Sequence, residues 1–274
     1  MYNTDAAAAA VDELVDTLRH AVGGPHARLV DVAQQALLVG AGLRRAALID
    51  AFPLTETQCT QLASALAAER VHTPRMRVFV LVYLPAGQVF LVNRRLAAHD
   101  TLPQVYVQAD AAPPHVIPEP GAMAHFARLL REPRSLLCID APGARAWGVA
   151  VCGWLLEYPY IYALAAHRPP EFVRGAWRDD DWSDAPNCLA HEPLCGIAAA
   201  LGSMPVLQCT FPESIGAPDA RLHTAMCAVR DMLAARLAPA ALAHSGFSAP
   251  LQRALAAKTP AISCFRTVQD RVAL

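Results

Sequence analysis

Two aspartates stand where a β-type run gives out. Asp50 closes AALID and Asp140 closes LLCID. In α/β proteins ligands gather beyond the carboxyl ends of strands. Two acids placed there from separate strands would hold a divalent cation or divide general acid and base work between them. Asp50 and Asp140 are therefore the candidate catalytic residues, for a metal-assisted hydrolase or another small-molecule enzyme. The plainer alternative is turn formation, because an Asp side chain bonds its own backbone and Pro53 and Pro142 follow closely.

A second constellation is Trp177-Arg178-Asp179-Asp180-Asp181-Trp182-Ser183-Asp184. Trp177, Asp179, Asp180, Asp181 and Trp182 are the candidate partner-binding residues, since buried indoles anchor interfaces and carboxylates set their charge. The run lacks the alternating ligands and the glycine of a calcium loop. Read without function, it is a solvated acidic loop, as most charge runs are.

Thiols and imidazoles supply the third. Cys188, His191 and Cys195 are spaced C-x2-H-x3-C, and His223 and Cys227 are spaced H-x3-C. Zinc takes four such ligands in a tetrahedron, and positions four apart share a helix face. Against this, the first set is not a CxxC knuckle, and its apolar neighbours suit ordinary packed thiols. Cys152 would need a base within reach and a lowered pKa to act as a nucleophile, yet its apolar flanks predict an inert thiol. No GxGxxG, Walker, GxSxG or HExxH pattern occurs, so the sequence leaves the cofactor unknown.

Composition bounds what must position these residues. The chain has 274 residues, 54% of them hydrophobic and 17% charged, enough apolar material for a large core. That excludes a largely disordered chain. A formal charge of −1 offers no overall attraction for nucleic acid, whose binding is dominated by phosphate neutralisation. Eight scattered cysteines in so long a chain do not read as a disulfide framework, and the acidic N-terminus does not read as a secretory signal. The most hydrophobic stretch, about residues 149–166, contains Glu157 and Pro159 and reads as core, not as a membrane span. The expected setting is cytoplasmic or nuclear, with a protein partner as one expectation and no membrane.

Helical spacing marks residues 5–21, with Asp5 as cap, and 26–39, ended by Gly40 and Gly42. Thr55 is placed to cap a helix running to about Arg70. Residues 77–84 and 88–93 read as a hairpin across Pro85-Ala86-Gly87, with 105–109 as a third strand. The Pro-rich 111–120 reads as extended chain. A helix at 121–131 and strands at 135–140, 160–164, 204–211 and 261–268 follow. Residues 219–237 make the best helix, with Leu222, Met226, Val229 and Leu233 on one face. The expected fold is α/β (or α+β), with a mixed or largely antiparallel sheet and packed helices in a single domain spanning 1–274. Residues 167–186 form an exposed polar loop in this reading.

The run CGWLLEYPYIY (Cys152 to Tyr162), followed by NCL (Asn187 to Leu189), resembles an uncharacterised eukaryotic family, a domain of unknown function named after human chromosome 1 open reading frame 74. LIDAF and VFLVN fit the same order. The resemblance spans most of the chain and implies no activity, cofactor or catalytic residue.

Overall fold

The computed structural model describes residues 4–51, 53–68, 79–83, 88–97, 104–109, 113–132, 135–138, 144–163, 193–215 and 218–268. Helices α1 (Thr4–Val22) and α2 (His26–Gly40) come first, then strand β1 (Ala46–Ile49) and helix α3 (Glu56–Ala67). Strands β2 (Phe79–Tyr83) and β3 (Val89–Asn93) follow, with a single turn α4 (Arg94–Ala97). Next are β4 (Val105–Gln108), β5 (His115–Ile117), α5 (Gly121–Leu129), β6 (Leu136–Cys138), α6 (Ala144–Leu155) and β7 (Tyr160–Ala163). The last part holds β8 (Pro193–Leu201), β9 (Met204–Pro212), α7 (Pro218–Leu237), α8 (Pro239–Leu242), α9 (Ala249–Ala256) and β10 (Pro260–Val268).

The described strands form three sheets, so the α/β expectation holds and the strands divide further than the sequence indicates. The first sheet has the order β1-β3-β2-β6, with β3 antiparallel to β1 and β2, and β6 parallel to β2. The expected hairpin is present, Phe79 opposite Asn93 and Tyr83 opposite Val89. The expected third strand, β4, leaves it to join β5 and β7 in a second sheet. Within the Pro-rich stretch, His115–Ile117 pairs with β4 as an edge strand, compatible with Pro because its outer side needs no donors. The third sheet is antiparallel, β10-β8-β9.

Strand alternation divides the core. Ala47, Ile49, Leu81, Val89 and Leu91 face one way, into a cluster shared with α1, α2, α3 and the third sheet. Ala46, Val82, Phe90, Val92 and Leu137 face the other way, against Met123 and Phe126 of α5 and Trp154 and Leu155 of α6. The first sheet is thus covered on both faces, which explains why its strands read as continuous apolar runs. Tyr160 of β7 stacks on Phe211 of β9 with ring centroids 4.1 Å apart, and the Tyr162 hydroxyl donates to Thr210 O at 3.0 Å. These contacts join the second sheet to the third.

Local chemistry sets most boundaries. Thr55 caps α3 as expected, and Gln58 completes a capping box that satisfies two backbone donors reciprocally. α2 ends with Gly42 at φ +75°, and Leu43 N returns to Leu38 O at 2.9 Å. That left-handed position suits glycine, which has no Cβ to clash. The proposed Asp5 cap is corrected: α1 begins at Thr4, so Asp5 lies inside its first turn. α7 begins at Pro218, which puts the Asp219 carboxylate in the first turn, where it favours the helix dipole. Among the described residues no helix is long and apolar enough to cross a membrane. The hydrophobic stretch near Trp154 is core instead, with Trp154 only 3% exposed.

Candidate functional site

α2 presents Arg28, Asp31, Val32 and Gln35 on one face, because steps of three and four residues return to the same side. This face meets the carboxyl end of β1. Between them lies a cleft of about 400 Å³ lined also by Leu48, Ile49, Asp50, Ala51 and Leu91. Val32, Ile49 and Leu91 are buried and make an apolar floor, while Arg28, Asp31 and Asp50 stand exposed at the rim.

The basic and amide groups of this rim are already committed. Arg28 Nη1 donates to Ala51 O at 2.7 Å, which ties α2 to the chain leaving β1. Gln35 accepts from Arg44 Nη1 and donates through Nε2 to Pro205 O at 3.4 Å. Asp31 and Asp50 receive no hydrogen bond or ion pair from another described residue, so their carboxylates remain available to a ligand.

The sequence pairs Asp50 with Asp140. Asp50 lies one residue beyond β1, in the cleft; Asp140 lies outside the described residues. β1 and β6 run in the same direction on opposite edges of the first sheet, so their carboxyl ends are at one end of it. Three strand spacings of about 4.8 Å separate those edges by about 14 Å. Glu56, at the start of α3, approaches β6 across that sheet end, its Oε1 3.7 Å from Cys138 Sγ. Burial, with the Glu56 charge adding, pushes the Cys138 thiol up. The Cys59 thiol beneath is raised by burial first and by the charges of Cys138 and Glu56 second. Thiols raised in this way hold less of the nucleophilic thiolate form at neutral pH.

The other sequence candidates separate. Trp177, Asp179, Asp180, Asp181 and Trp182, with the whole of 167–186, lie outside the described residues, as do Cys188 and His191. Cys195 is buried in β8, its Sγ 3.4 Å from Glu213 Oε1. His223 and Cys227 sit together on α7. Among the described residues no three His, Cys, Asp or Glu side chains come together as a metal-ligand set. Cys152 donates to Gln88 Oε1 at 3.2 Å, and burial pushes its thiol up to about 12, which fits the inert thiol that its flanks predict.

A buried ion cluster escapes sequence reasoning. Glu157 accepts from Arg236 Nη2 at 2.6 Å on Oε1 and from Arg236 Nη1 at 2.7 Å on Oε2. The Arg45 backbone N donates to the same Oε2 at 2.9 Å, and the Arg45 guanidinium lies 4.3 Å over the Trp154 ring while donating to Trp154 O at 2.9 Å. Arg45, Glu157 and Arg236 are 1%, 3% and 7% exposed, so these charges sit inside the molecule. Burial pushes the Glu157 carboxyl up, but Arg236 and then Arg45 outweigh it and hold it at about 2. The cluster joins the start of β1, the turn before β7 and the end of α7. It is a fastening between layers, and the only trace of it in the sequence is one Glu inside an apolar run, LLEYP.

Fold and cleft together define the class: an α/β protein with a ligand-sized cleft at the carboxyl end of an edge strand. No protein-family model, curated protein or solved structure matches the chain.

Proposed function

We propose that this protein binds a small polar molecule in the cleft between α2 and β1, with Asp50 as the principal anchor. The observation that carries the proposal is the convergence of Arg28, Asp31, Gln35 and Asp50 around an apolar floor just past the carboxyl end of β1. Apolar concavities with a few convergent polar groups are the usual form of ligand sites, and this end of the strands is their usual place. Two free carboxylates against one committed guanidinium favour a ligand bearing hydroxyl or ammonium donors. Catalysis by Asp50 with Asp140, each acting separately as acid or base, is the stronger form of the same proposal; the distance of about 14 Å between their strands leaves no shared metal ion in it. Use of the acidic tryptophan segment by a protein partner rests on residues outside those described, so the cleft takes precedence.

Free thiols at all seven described cysteines support a reducing, cytosolic or nuclear setting. Membership of the eukaryotic family named after human chromosome 1 open reading frame 74 belongs to the proposal through the CGWLLEYPYIY resemblance, and adds no activity to it.

The test is amide NMR of the full chain against a panel of amines, sugars, nucleosides and organic phosphates. At least one amine or polyol should shift amides of residues 28–35 and 49–51, and Asp50→Asn should abolish the shifts with Tm unchanged. Shifts confined to other surfaces, or a silent panel, would sink the proposal.

A further inference from the structure

α7 carries an imidazole and a thiol one turn apart on its outer side. His223 is exposed, Cys227 is half-buried, and His223 Nε2 lies 3.6 Å from Cys227 Sγ. Positions four apart on a helix share a face, so the backbone keeps the two side chains within reach of each other, and as they stand they meet as a thiol–imidazole hydrogen bond. A metal ion bonded at about 2.0–2.1 Å to imidazole and about 2.3 Å to thiolate, at a tetrahedral angle, sets nitrogen and sulfur about 3.6 Å apart. The bite that a tetrahedral ion needs is therefore already present. The charges flanking the pair answer one another. Arg230 is paired with Asp231 at 3.1 Å, and Asp219, one turn before His223, is held by Arg266 at 2.9 Å. Arg230 of α7 lies against Cys227, and its pairing with Asp231 limits repulsion of an incoming cation.

We propose that His223 and Cys227 form a two-point chelate on α7 for a thiophilic divalent metal of the Zn²⁺ type, with water in the remaining positions. On binding, the Cys227 S–H bond breaks and its proton leaves to solvent as the sulfur–metal bond forms. The Nε2 lone pair of His223 makes the second bond while the ring proton stays on Nδ1. Thiolate selects softer metals over Mg²⁺ and Ca²⁺, and proton release makes affinity rise with pH. Buried Cys195 takes no part, since its thiol is turned to Glu213. The chelate is separate from the cleft and does not depend on it.

The experiment is a Co²⁺ titration of the reduced full chain, followed by the thiolate-to-cobalt absorption in the near ultraviolet and reversed with Zn²⁺. One ion per chain should bind. His223→Ala and Cys227→Ser should each weaken binding at least about tenfold, the scale that even outer partners of a bound metal command. Their circular dichroism should match the parent; a variant that unfolds is replaced by His223→Gln or Cys227→Ala. The double variant Cys188→Ser with His191→Ala should bind as the parent does. An absent band in the parent, a band untouched by both α7 variants, or a band lost with Cys188 and His191 overturns the chelate.

Discussion

Glu157 holds a backbone conformation that L side chains rarely take, with φ at 60°. It stands just past the end of α6, where Tyr158 N returns to Gly153 O at 3.0 Å and Glu157 N to Trp154 O at 3.2 Å. That is the helix-ending motif in which glycine is usual. The carboxylate offsets the strain by taking bonds from Arg236 and Arg45, which no glycine could accept. Removing one member of a buried ion cluster strands the others, so Glu157→Gln should cost about 3–5 kcal/mol in urea denaturation. The folded carboxyl titrates near 2, below its ordinary 4.5. A depressed carboxyl stabilises the fold above its unfolded value and loses that contribution as pH falls through its folded value. Acid titration of the parent should therefore show stability draining between about pH 4.5 and about pH 2, and Glu157→Gln should lack that component. An unchanged acid profile would remove Glu157 from the ion cluster. Asn93 is a second buried polar residue with matched partners, Nδ2 donating to Val39 O at 2.8 Å and Oδ1 accepting from Arg95 N and Leu96 N.

At the scale of elements, Gly196 of β8 faces Phe265 of β10 directly. A Cβ at Gly196 would meet the Phe265 ring at 2.2 Å, so the ring lies on bare backbone. Gly196→Ala should destabilise the third sheet by about 1–3 kcal/mol, the range for overpacking. Adding Phe265→Ala should recover part of that loss, because the two changes share one space. A thermal melt of the single and double variants tests this; additive losses would show that the ring does not press on the glycine. At the start of α3, Thr55→Ala removes a capping box and should cost about 1 kcal/mol.

Across the whole molecule, burial sorts the thiols. Cys264 is exposed on β10, whereas Cys59, Cys195 and Cys209 are buried, and burial pushes Cys209 up to about 12. Brief alkylation of the native protein read by mass spectrometry should label Cys264 well before those three, and denaturant should erase the order. Early labelling of Cys209 would contradict the packing of the third sheet. Tyr162→Phe, which removes the hydroxyl bonded to Thr210 between two sheets, should cost about 0.5–1.5 kcal/mol.

Periodicity and punctuation in the chain were enough for α2, the Thr55 cap, the hairpin of β2 and β3, and the closing strand β10, since each depends on neighbours within a few residues. They also put Asp50 at the end of a strand. They did not reveal β8, whose PLCGIAAAL lacks the β-branched alternation of a half-buried strand and acts as one through pairing on both sides. Nor could spacing bring Arg45 and Arg236 to Glu157, or set α2 beside Asp50 to make a cleft. Those meetings join residues about two hundred positions apart in the extreme, and long-range packing alone fixes them. Local physics determined which pieces form; the burial of apolar faces against one another decided which side chains meet.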